Sequence, residues 1–140
     1  MPSSLICVDA SLVVRTVVDT ADSRLPTLWH EWTSAGRQAI APALLYFEVT
    51  NALYQYQRLD LLTPETINQA LNTAVSLPIR LHAHAGLHLT ALKMAQRFQL
   101  HATYDAHYLA LAAQNEAEFW TADQHLCRVV QPNLPWVYTI

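Results

Sequence analysis

The sequence predicts an α/β protein, a three-layer α/β/α sandwich built on a short, mostly parallel sheet. Short apolar segments alternate with longer segments of helical periodicity, an arrangement typical of parallel sheets. Of the 140 residues, 52% are hydrophobic and 14% are charged, which is enough for one compact domain with a buried core. Two glycines and seven prolines indicate short, stiff connections. We therefore expect a single domain over residues 1–140.

The first half of the chain is expected to alternate strands with helices. Ser11 is a candidate cap for the first helix, and Gly36 is a suitable stop for the second. Pro42 is expected to open the third helix, since proline is tolerated at the first helical position. The expected strands are 4–8 and 39–41, and the expected helices are 11–18, 23–35 and 42–58.

The second half continues the alternation. Thr63 followed by Pro64 is a helix-start signal, with threonine as the cap and proline at the first helical position. Leu89, Leu92 and Phe98 are expected among the apolar positions of the next helix. The expected helices are 64–76, 84–98, 104–114 and 123–129, and the expected strands are 77–81, 117–120 and 136–138.

Three aspartates fall at positions where α/β proteins place their sites. Asp9 directly follows the first strand, and Asp123 lies shortly after the fourth. Sites in open parallel sheets form at the carboxyl ends of strands. Asp105 lies in the first turn of its helix, just past Thr103, a plausible cap, where the helix dipole favours an acid. Each aspartate taken alone therefore also fits a cap or turn residue, whereas their shared edge of the sheet favours a site.

Glu48 interrupts the apolar start of the third helix. Asn51 lies three residues on, on nearly the same helical face, and Gln55 follows one turn later. A carboxylate in such apolar surroundings faces either a narrow solvent stripe or a polar cavity. Both interpretations remain open for this residue on the sequence alone.

Four carboxylates held together require neutralisation, because like charges a few ångströms apart raise each other's pKa. Mg²⁺ or Mn²⁺ would supply it, since hard cations prefer oxygen ligands and keep several waters. The chemistry that such ions serve is phosphodiester hydrolysis. The net charge of −3 neither supports nor excludes a nuclease.

Four segments of this chain together resemble the PIN-domain nucleases, and most closely their VapC-like branch, the toxins of bacterial type II toxin–antitoxin systems. The resemblance covers nearly the whole chain in the right order. The segments are VDAS at 8–11, EVTNAL at 48–53, YDAHYLALA at 104–112 and WTAD at 120–123.

The resemblance implies a function and a set of site residues. It implies an endoribonuclease that leaves a 5′-phosphate and a 3′-hydroxyl, a small antitoxin that occupies the site, and a homodimer. Ser11, Asn51 and Thr121 would support the site by orienting waters or carboxylates. The residues that it assigns to catalysis and to coordination of one or two Mg²⁺ or Mn²⁺ ions are Asp9, Glu48, Asp105 and Asp123.

Two other functions are compatible with parts of this pattern. A catalytically silent PIN-like scaffold would hold protein or RNA without cutting it. A phosphoryl-transfer enzyme would use Asp9 as a nucleophile, but Asp9-Ala10-Ser11 lacks the second aspartate of a D-x-D loop. The sequence therefore favours the nuclease and disfavours the phosphatase.

The remaining signals indicate structural roles. Cys7 and Cys127 lie far apart without a CxxC spacing, and Cys7 is expected to be a buried thiol. The histidines at 82, 84 and 88 are expected at a surface or helix start, not in a zinc site, and those at 107 and 125 in the core or at the surface. No apolar run reaches the roughly 18–20 residues of a membrane span, and the N-terminus lacks a signal-peptide pattern. We therefore expect a cytoplasmic protein.

Overall fold

The computed structural model describes residues 3–140 and contains a five-stranded sheet. Every neighbouring pair of strands is parallel, so the α/β class is confirmed and the sheet is wholly, not mostly, parallel. The order across the sheet is β3-β2-β1-β4-β5. The strands are β1 (Leu5–Val8), β2 (Gln38–Pro42), β3 (Ile79–His82), β4 (Glu118–Thr121) and β5 (Val137–Thr139).

Seven helices connect these strands within residues 3–140. Thr63 caps the fourth helix as expected, because its hydroxyl accepts a hydrogen bond from the amide of Thr66, and Pro64 occupies the first turn. Gly36 follows the second helix with a φ of 70°, the left-handed conformation that glycine adopts without strain. The helices are α1 (Ala10–Val18), α2 (Arg24–Ser34), α3 (Leu45–Arg58), α4 (Pro64–Ser76), α5 (Gly86–Phe98), α6 (Tyr104–Gln114) and α7 (Gln124–Val130).

Helices cover both faces of the sheet, which gives three layers. Successive residues of a strand point to opposite faces, and β4 shows the consequence. The ring of Phe119 lies against Tyr108 of α6, whereas Trp120 lies edge-on to Trp32 of α2. Right-handed crossovers place α1–α4 on one face and α5–α7 on the other.

The central strand β1 is the point at which the chain reverses direction across the sheet. The chain runs outward from β1 to β2 and β3, then crosses back to β4 and β5. Val8 is paired with Trp120, and the amide of Asp9 donates to the carbonyl of Trp120 at 3.4 Å. Such a reversal leaves a crevice at the carboxyl ends of the two strands, so the residues after β1 and β4 are brought together.

Two expected helix starts are wrong. Pro42 does not open α3 but ends β2, where it is paired with His82, and the amide of Ala43 donates to the His82 carbonyl at 2.9 Å. Sheet pairing thus continues past the proline, and α3 begins at Leu45. Ser11 does not cap α1, because Asp9 takes that position and its carboxylate accepts from the amide of Leu12.

The expected apolar face of α5 is wrong in part. Leu89 and Leu92 are 59% and 44% exposed, whereas the buried residues of this helix are Leu87, Ala91 and Ala95. Small side chains allow α5 to pack closely against α6, and this contact selects the face with the alanines. The third strand also begins at Ile79, two residues later than expected.

No helix within residues 3–140 is both long and apolar enough to cross a membrane.

Candidate active site

A cavity of about 660 Å³ opens beside the carboxyl ends of β1 and β4. Its lining comes from α1, α3, α6 and the start of α7. All four acids that the sequence singled out lie in this lining, at positions separated by up to 114 residues (123 − 9). The four are Asp9, Glu48, Asp105 and Asp123.

Asp9 is the most buried of these acids, with only 4% of its surface exposed. One carboxylate oxygen accepts hydrogen bonds from Ser11 Oγ at 2.7 Å and from the amide of Leu12 at 3.0 Å. The other accepts from Thr121 Oγ1 at 2.5 Å. Burial raises the pKa of Asp9 to about 6, although these hydrogen bonds lower it, and the charge of Asp105 raises it further.

Two hydroxyl groups tie β4 to the end of β1. Ser11 Oγ donates to Asp9 and accepts from the amide of Ala122 at 3.0 Å. Thr121 Oγ1 also donates to Asp9 and accepts from the amide of Asp123 at 2.9 Å. Each hydroxyl therefore uses its single proton on Asp9 and its lone pairs on the β4 loop. Ser11 and Thr121 thus hold the Asp9 carboxylate by one hydrogen bond to each of its oxygens.

Asp123 caps α7 and lines the cavity at the same time. One of its carboxylate oxygens accepts from the amide of Leu126 at 3.0 Å. Asp9 has the same double placement, since it caps α1. The cap interpretation left open by the sequence is therefore correct for both aspartates, and it does not remove either of them from the cavity.

Glu48 lies in the first turn of α3, half-buried, and faces the cavity rather than a solvent stripe. The hydroxyl of Tyr108, on α6, donates to Glu48 Oε1 at 2.7 Å. Burial raises the pKa of Glu48; the Tyr108 hydrogen bond lowers it, the charge of Asp105 raises it, and His107 lowers it. Burial and then the contact with Glu48 raise the pKa of Tyr108 far above its ordinary value, so this phenol stays protonated and donates.

Asp105 is the acid that links the other three electrostatically. Its pKa is raised by burial and then by the charge of Asp123, and its own charge raises the pKa of Asp9 and of Glu48. Thr103 makes no side-chain cap to α6, contrary to expectation, because its backbone there is helical rather than extended. Asp105 therefore sits at the electrostatic centre of the cluster.

Asn51 also lines the cavity, but its side chain contacts none of the four acids by a hydrogen bond within residues 3–140. Its Oδ1 accepts from Gln55 at 3.3 Å, one helical turn further along α3. The expected Glu-Asn-Gln face of α3 is thus present. Asn51, the middle residue of this face, is exposed and lines the open side of the cavity.

Two residues of the cavity were missed from the sequence. Tyr108 belongs to a segment of alanines and leucines and attracted no separate role, although a phenol in so apolar a helix requires a polar partner when buried. Arg15, on α1, lines the cavity four residues after Ser11. That spacing places both residues on one helical face, a signal that could have identified Arg15.

None of the histidines or cysteines within residues 3–140 lines the cavity that holds the four acids. His88 Nδ1 lies 2.9 Å from His107 Nε2, and His107 Nδ1 lies 2.7 Å from the carbonyl of Thr103. His84 and His88 are exposed, in line with the expected surface position. Cys7 and Cys127 are both buried and unpaired with each other.

The chemistry of the donor set fits a hard divalent cation. In the part of the chain that the structure describes, no three His, Cys, Asp or Glu side chains are close enough to hold one ion among them. Mg²⁺ usually takes only one or two carboxylates and completes its coordination with waters and substrate phosphates. Four carboxylates around a 660 Å³ cavity, three of them with a raised pKa, leave negative charge that such an ion would neutralise.

Comparison with solved structures finds the same architecture in other proteins. PAE2754 from Pyrobaculum aerophilum is 19% identical, with a TM-score of 0.68 over 92% of this chain and 87% of that one. VapBC2 from Rickettsia felis, bound to a DNA fragment from its promoter, is 11% identical, with a TM-score of 0.69 over 97% of each chain. VapC20 from Mycobacterium tuberculosis, a sarcin-ricin loop cleaving toxin, is 17% identical, with a TM-score of 0.63 over 91% and 95%.

No protein-family model and no curated protein matches the sequence. At these identities the structural likeness concerns the fold, and the resemblance seen in the sequence agrees with it. The α/β fold of this chain matches these structures over 87–97% of their length. The chain has the PIN-domain fold, the fold of the VapC toxins.

Proposed function

We propose that this protein is a Mg²⁺- or Mn²⁺-dependent endoribonuclease that hydrolyses phosphodiester bonds of RNA. The observation that carries the proposal is the convergence of four acids on one cavity at the reversal point of the sheet. The proposal is supported by VapC20, which has the same fold and is a sarcin-ricin loop cleaving toxin.

The acids would hold the ion, and their neighbours would hold the acids. Asp9, Glu48, Asp105 and Asp123 offer only oxygen ligands, as Mg²⁺ and Mn²⁺ prefer. Ser11 and Thr121 fix Asp9, and Asn51 would orient water at the open side. When bound, such an ion would polarise the phosphodiester, help to activate a water and stabilise the charge that develops on the leaving oxygen.

A direct test compares the wild type with Asp9→Asn and Asp105→Asn on RNA, with and without Mn²⁺. We expect cleavage by the wild type with the ion and a loss of about 10²-fold or more in both variants, because a metal site contributes several kcal/mol to the transition state. Products should carry a 5′-phosphate and a 3′-hydroxyl. Equal cleavage by all three proteins would remove these residues from catalysis.

The second candidate function is a silent PIN-like scaffold that binds protein or RNA. It is favoured by one observation, that no three acidic, histidine or cysteine side chains within residues 3–140 come together around a single point. Calorimetry with Mn²⁺ separates the two functions. An ion that binds wild type but not Asp105→Asn supports the nuclease, and no binding to either protein supports the scaffold.

We propose further that a small antitoxin inhibits the protein by occupying the cavity, that the toxin forms a homodimer, and that it acts in the cytoplasm on RNA. The support is that VapBC2 has the same fold. A short open reading frame beside this gene should encode a protein that co-purifies with the chain and abolishes cleavage. Light scattering of the chain alone should give the mass of a dimer.

A further inference from the structure

The cavity extends from the four acids along two helices. Its α1 side is formed by residues at helical spacing, so that one face of the helix follows the cavity for about two turns. The α3 side shows the same spacing and ends at Tyr56. The lining residues on the two sides are Ala10, Ser11, Val14, Arg15 and Val18 of α1 with its C-cap Asp19, and Glu48, Asn51, Ala52 and Tyr56 of α3.

Arg15 is the single cationic residue among those that line this cavity. It lies one helical turn beyond Ser11, so it is about 6 Å along α1 from the serine that contacts Asp9. One third of its side chain is exposed. A nucleic acid strand that reached the acids through this groove would therefore pass a fixed positive charge.

The present partners of Arg15 hold it weakly. Its Nη2 lies 3.3 Å from Asp22 Oδ2, and its Nε lies 4.0 Å from Asp19 Oδ2, which also lines the cavity at the end of α1. Asp22 is bound better by Arg24, whose Nε and Nη2 donate to both carboxylate oxygens at 3.0 and 2.7 Å. The amide of Arg24 adds a third hydrogen bond at 3.0 Å. Asp22 therefore stays paired with the guanidinium of Arg24 if Arg15 binds another partner.

We infer that Arg15 binds a backbone phosphate of a single-stranded RNA segment that lies in the groove between α1 and α3. The guanidinium fork matches phosphate oxygens, and a charged hydrogen bond to phosphate is stronger than the long contact it would replace. The apolar lining, Val14, Val18, Ala52 and the ring of Tyr56, suits the bases and sugars of an unpaired strand. This role of Arg15 rests on the proposed ribonuclease function, since it is a contact with the RNA substrate of that reaction.

The test measures binding apart from cleavage. A fluorescein-labelled single-stranded RNA of ten nucleotides is titrated in EDTA with Asp105→Asn, which is expected not to cut. Adding Arg15→Gln should weaken binding about tenfold at low salt and reduce the slope of log K against log salt by about 0.7, the value for one lost phosphate contact on a single strand. Arg15→Lys should fall between the two.

Arg80→Gln is the charge-matched control, because Arg80 is exposed on the edge strand β3 and does not line the cavity. It should leave both affinity and salt slope unchanged. In the otherwise wild-type protein, Arg15→Gln should raise KM for RNA with kcat within about twofold, because the lost contact is made in ground and transition state alike. Melting temperatures of both variants verify folding.

The outcomes separate this inference from the function beneath it. If the wild type cleaves RNA but Arg15→Gln changes neither affinity, salt slope nor KM, the phosphate assignment is overturned and the nuclease stands. If Arg15→Gln and Arg80→Gln weaken binding equally, the effect is one of net charge, and the assignment is again overturned. If no cleavage occurs but RNA binding still depends on Arg15, the groove binds RNA and the scaffold function is correct.

Discussion

The hydroxyl of Tyr108 donates a hydrogen bond of 2.7 Å to Oε1 of Glu48. Tyr108 belongs to α6 on one face of the sheet, whereas Glu48 belongs to α3 on the other. The bond therefore joins the two helical layers at the carboxyl end of the sheet. It also fixes Oε1, so that Oε2 is the oxygen of Glu48 without a hydrogen bond inside residues 3–140.

Tyr108→Phe removes this hydroxyl while keeping the ring. We expect a loss of about 1–3 kcal/mol in the free energy of unfolding, since the bond has a charged acceptor. We also expect a 10- to 100-fold loss of RNA cleavage, the usual effect of removing a group that orients a metal ligand. Urea unfolding and cleavage rates measure the two effects.

Tyr46→Phe is the matched control for this prediction. The Tyr46 hydroxyl donates to the carbonyl of Ala74 at 3.0 Å, so its removal also deletes one hydrogen bond between helices. Its stability loss should be about 1 kcal/mol, and its cleavage rate should be that of the wild type. A similar loss of cleavage in both variants would show that the Tyr108 effect comes from general loosening.

The metal-free protein should lose stability as pH rises from about 4 to about 6. Asp9 has a pKa of about 6 in the folded protein against 3.8 ordinarily, so the folded state binds more protons than the unfolded state in this window. The difference corresponds to about 3 kcal/mol, lost as pH rises. Denaturant unfolding in EDTA at several pH values measures it.

Two further measurements bear on this pH dependence. Asp9→Asn should flatten the profile, because the group that titrates is gone. Mn²⁺ should restore stability at pH 7 in the wild type, since an ion that binds only the folded state stabilises it. If the free energy of unfolding of the wild type rises between pH 4 and pH 6 in EDTA, the pKa of Asp9 is not raised by burial in the metal-free protein.

Asp105→Asn should stabilise the metal-free protein and remove its activity. The charge of Asp105 raises the pKa of both Asp9 and Glu48, so its removal relieves repulsion in the empty cavity. The melting temperature in EDTA at pH 7 should rise, and RNA cleavage with Mn²⁺ should fall about 10²-fold or more. Glu31→Gln, an exposed charge on α2, should change stability by less than about 0.5 kcal/mol and leave cleavage intact. A lower melting temperature for Asp105→Asn would argue against electrostatic repulsion in the cavity.

Thr63→Ala tests the fold independently of the site. The Thr63 hydroxyl accepts from the amide of Thr66 at 3.2 Å at the start of α4, and losing a cap costs about 1 kcal/mol. Cleavage per folded molecule should not change. Thr63→Ser should recover most of the lost stability, and a Thr63→Ala protein as stable as the wild type would show that the cap is dispensable.

The sequence predicts which residues follow the strands, but not which strands are neighbours and therefore which of these residues come into contact. Asp9 and Asp123 could be placed because each follows an apolar strand. Their contact through Thr121 depends on the pairing of β1 with β4, a choice of neighbour made over more than a hundred residues. Periodicity does not encode that choice, because it shows which residues of a strand are buried and not which strand lies beside it.

Local patterns failed where tertiary packing selected among reasonable options. Leu89 and Leu92 look like core residues by hydrophobicity, yet α5 turns Leu87 and its alanines inward because these fit closely against α6. Pro42 has a strong helix-start signal, and sheet pairing with His82 overrides it. The role of Tyr108 could not be predicted from its neighbours in sequence, because its partner, Glu48, is 60 residues away.

The central position of β1 and the late position of β4 in the chain have a consequence during translation. A ribosome making this protein completes β1, α1 and α3 long before β4, which spans Glu118–Thr121, so Thr121 and Asp123 are made well after the other site residues on α1 and α3. Until then Asp9 lacks the hydroxyl of Thr121 and the acidic cluster lacks Asp123. If the finished chain cuts RNA as proposed, the nascent chain stays harmless to the message that encodes it and to the ribosome that carries it.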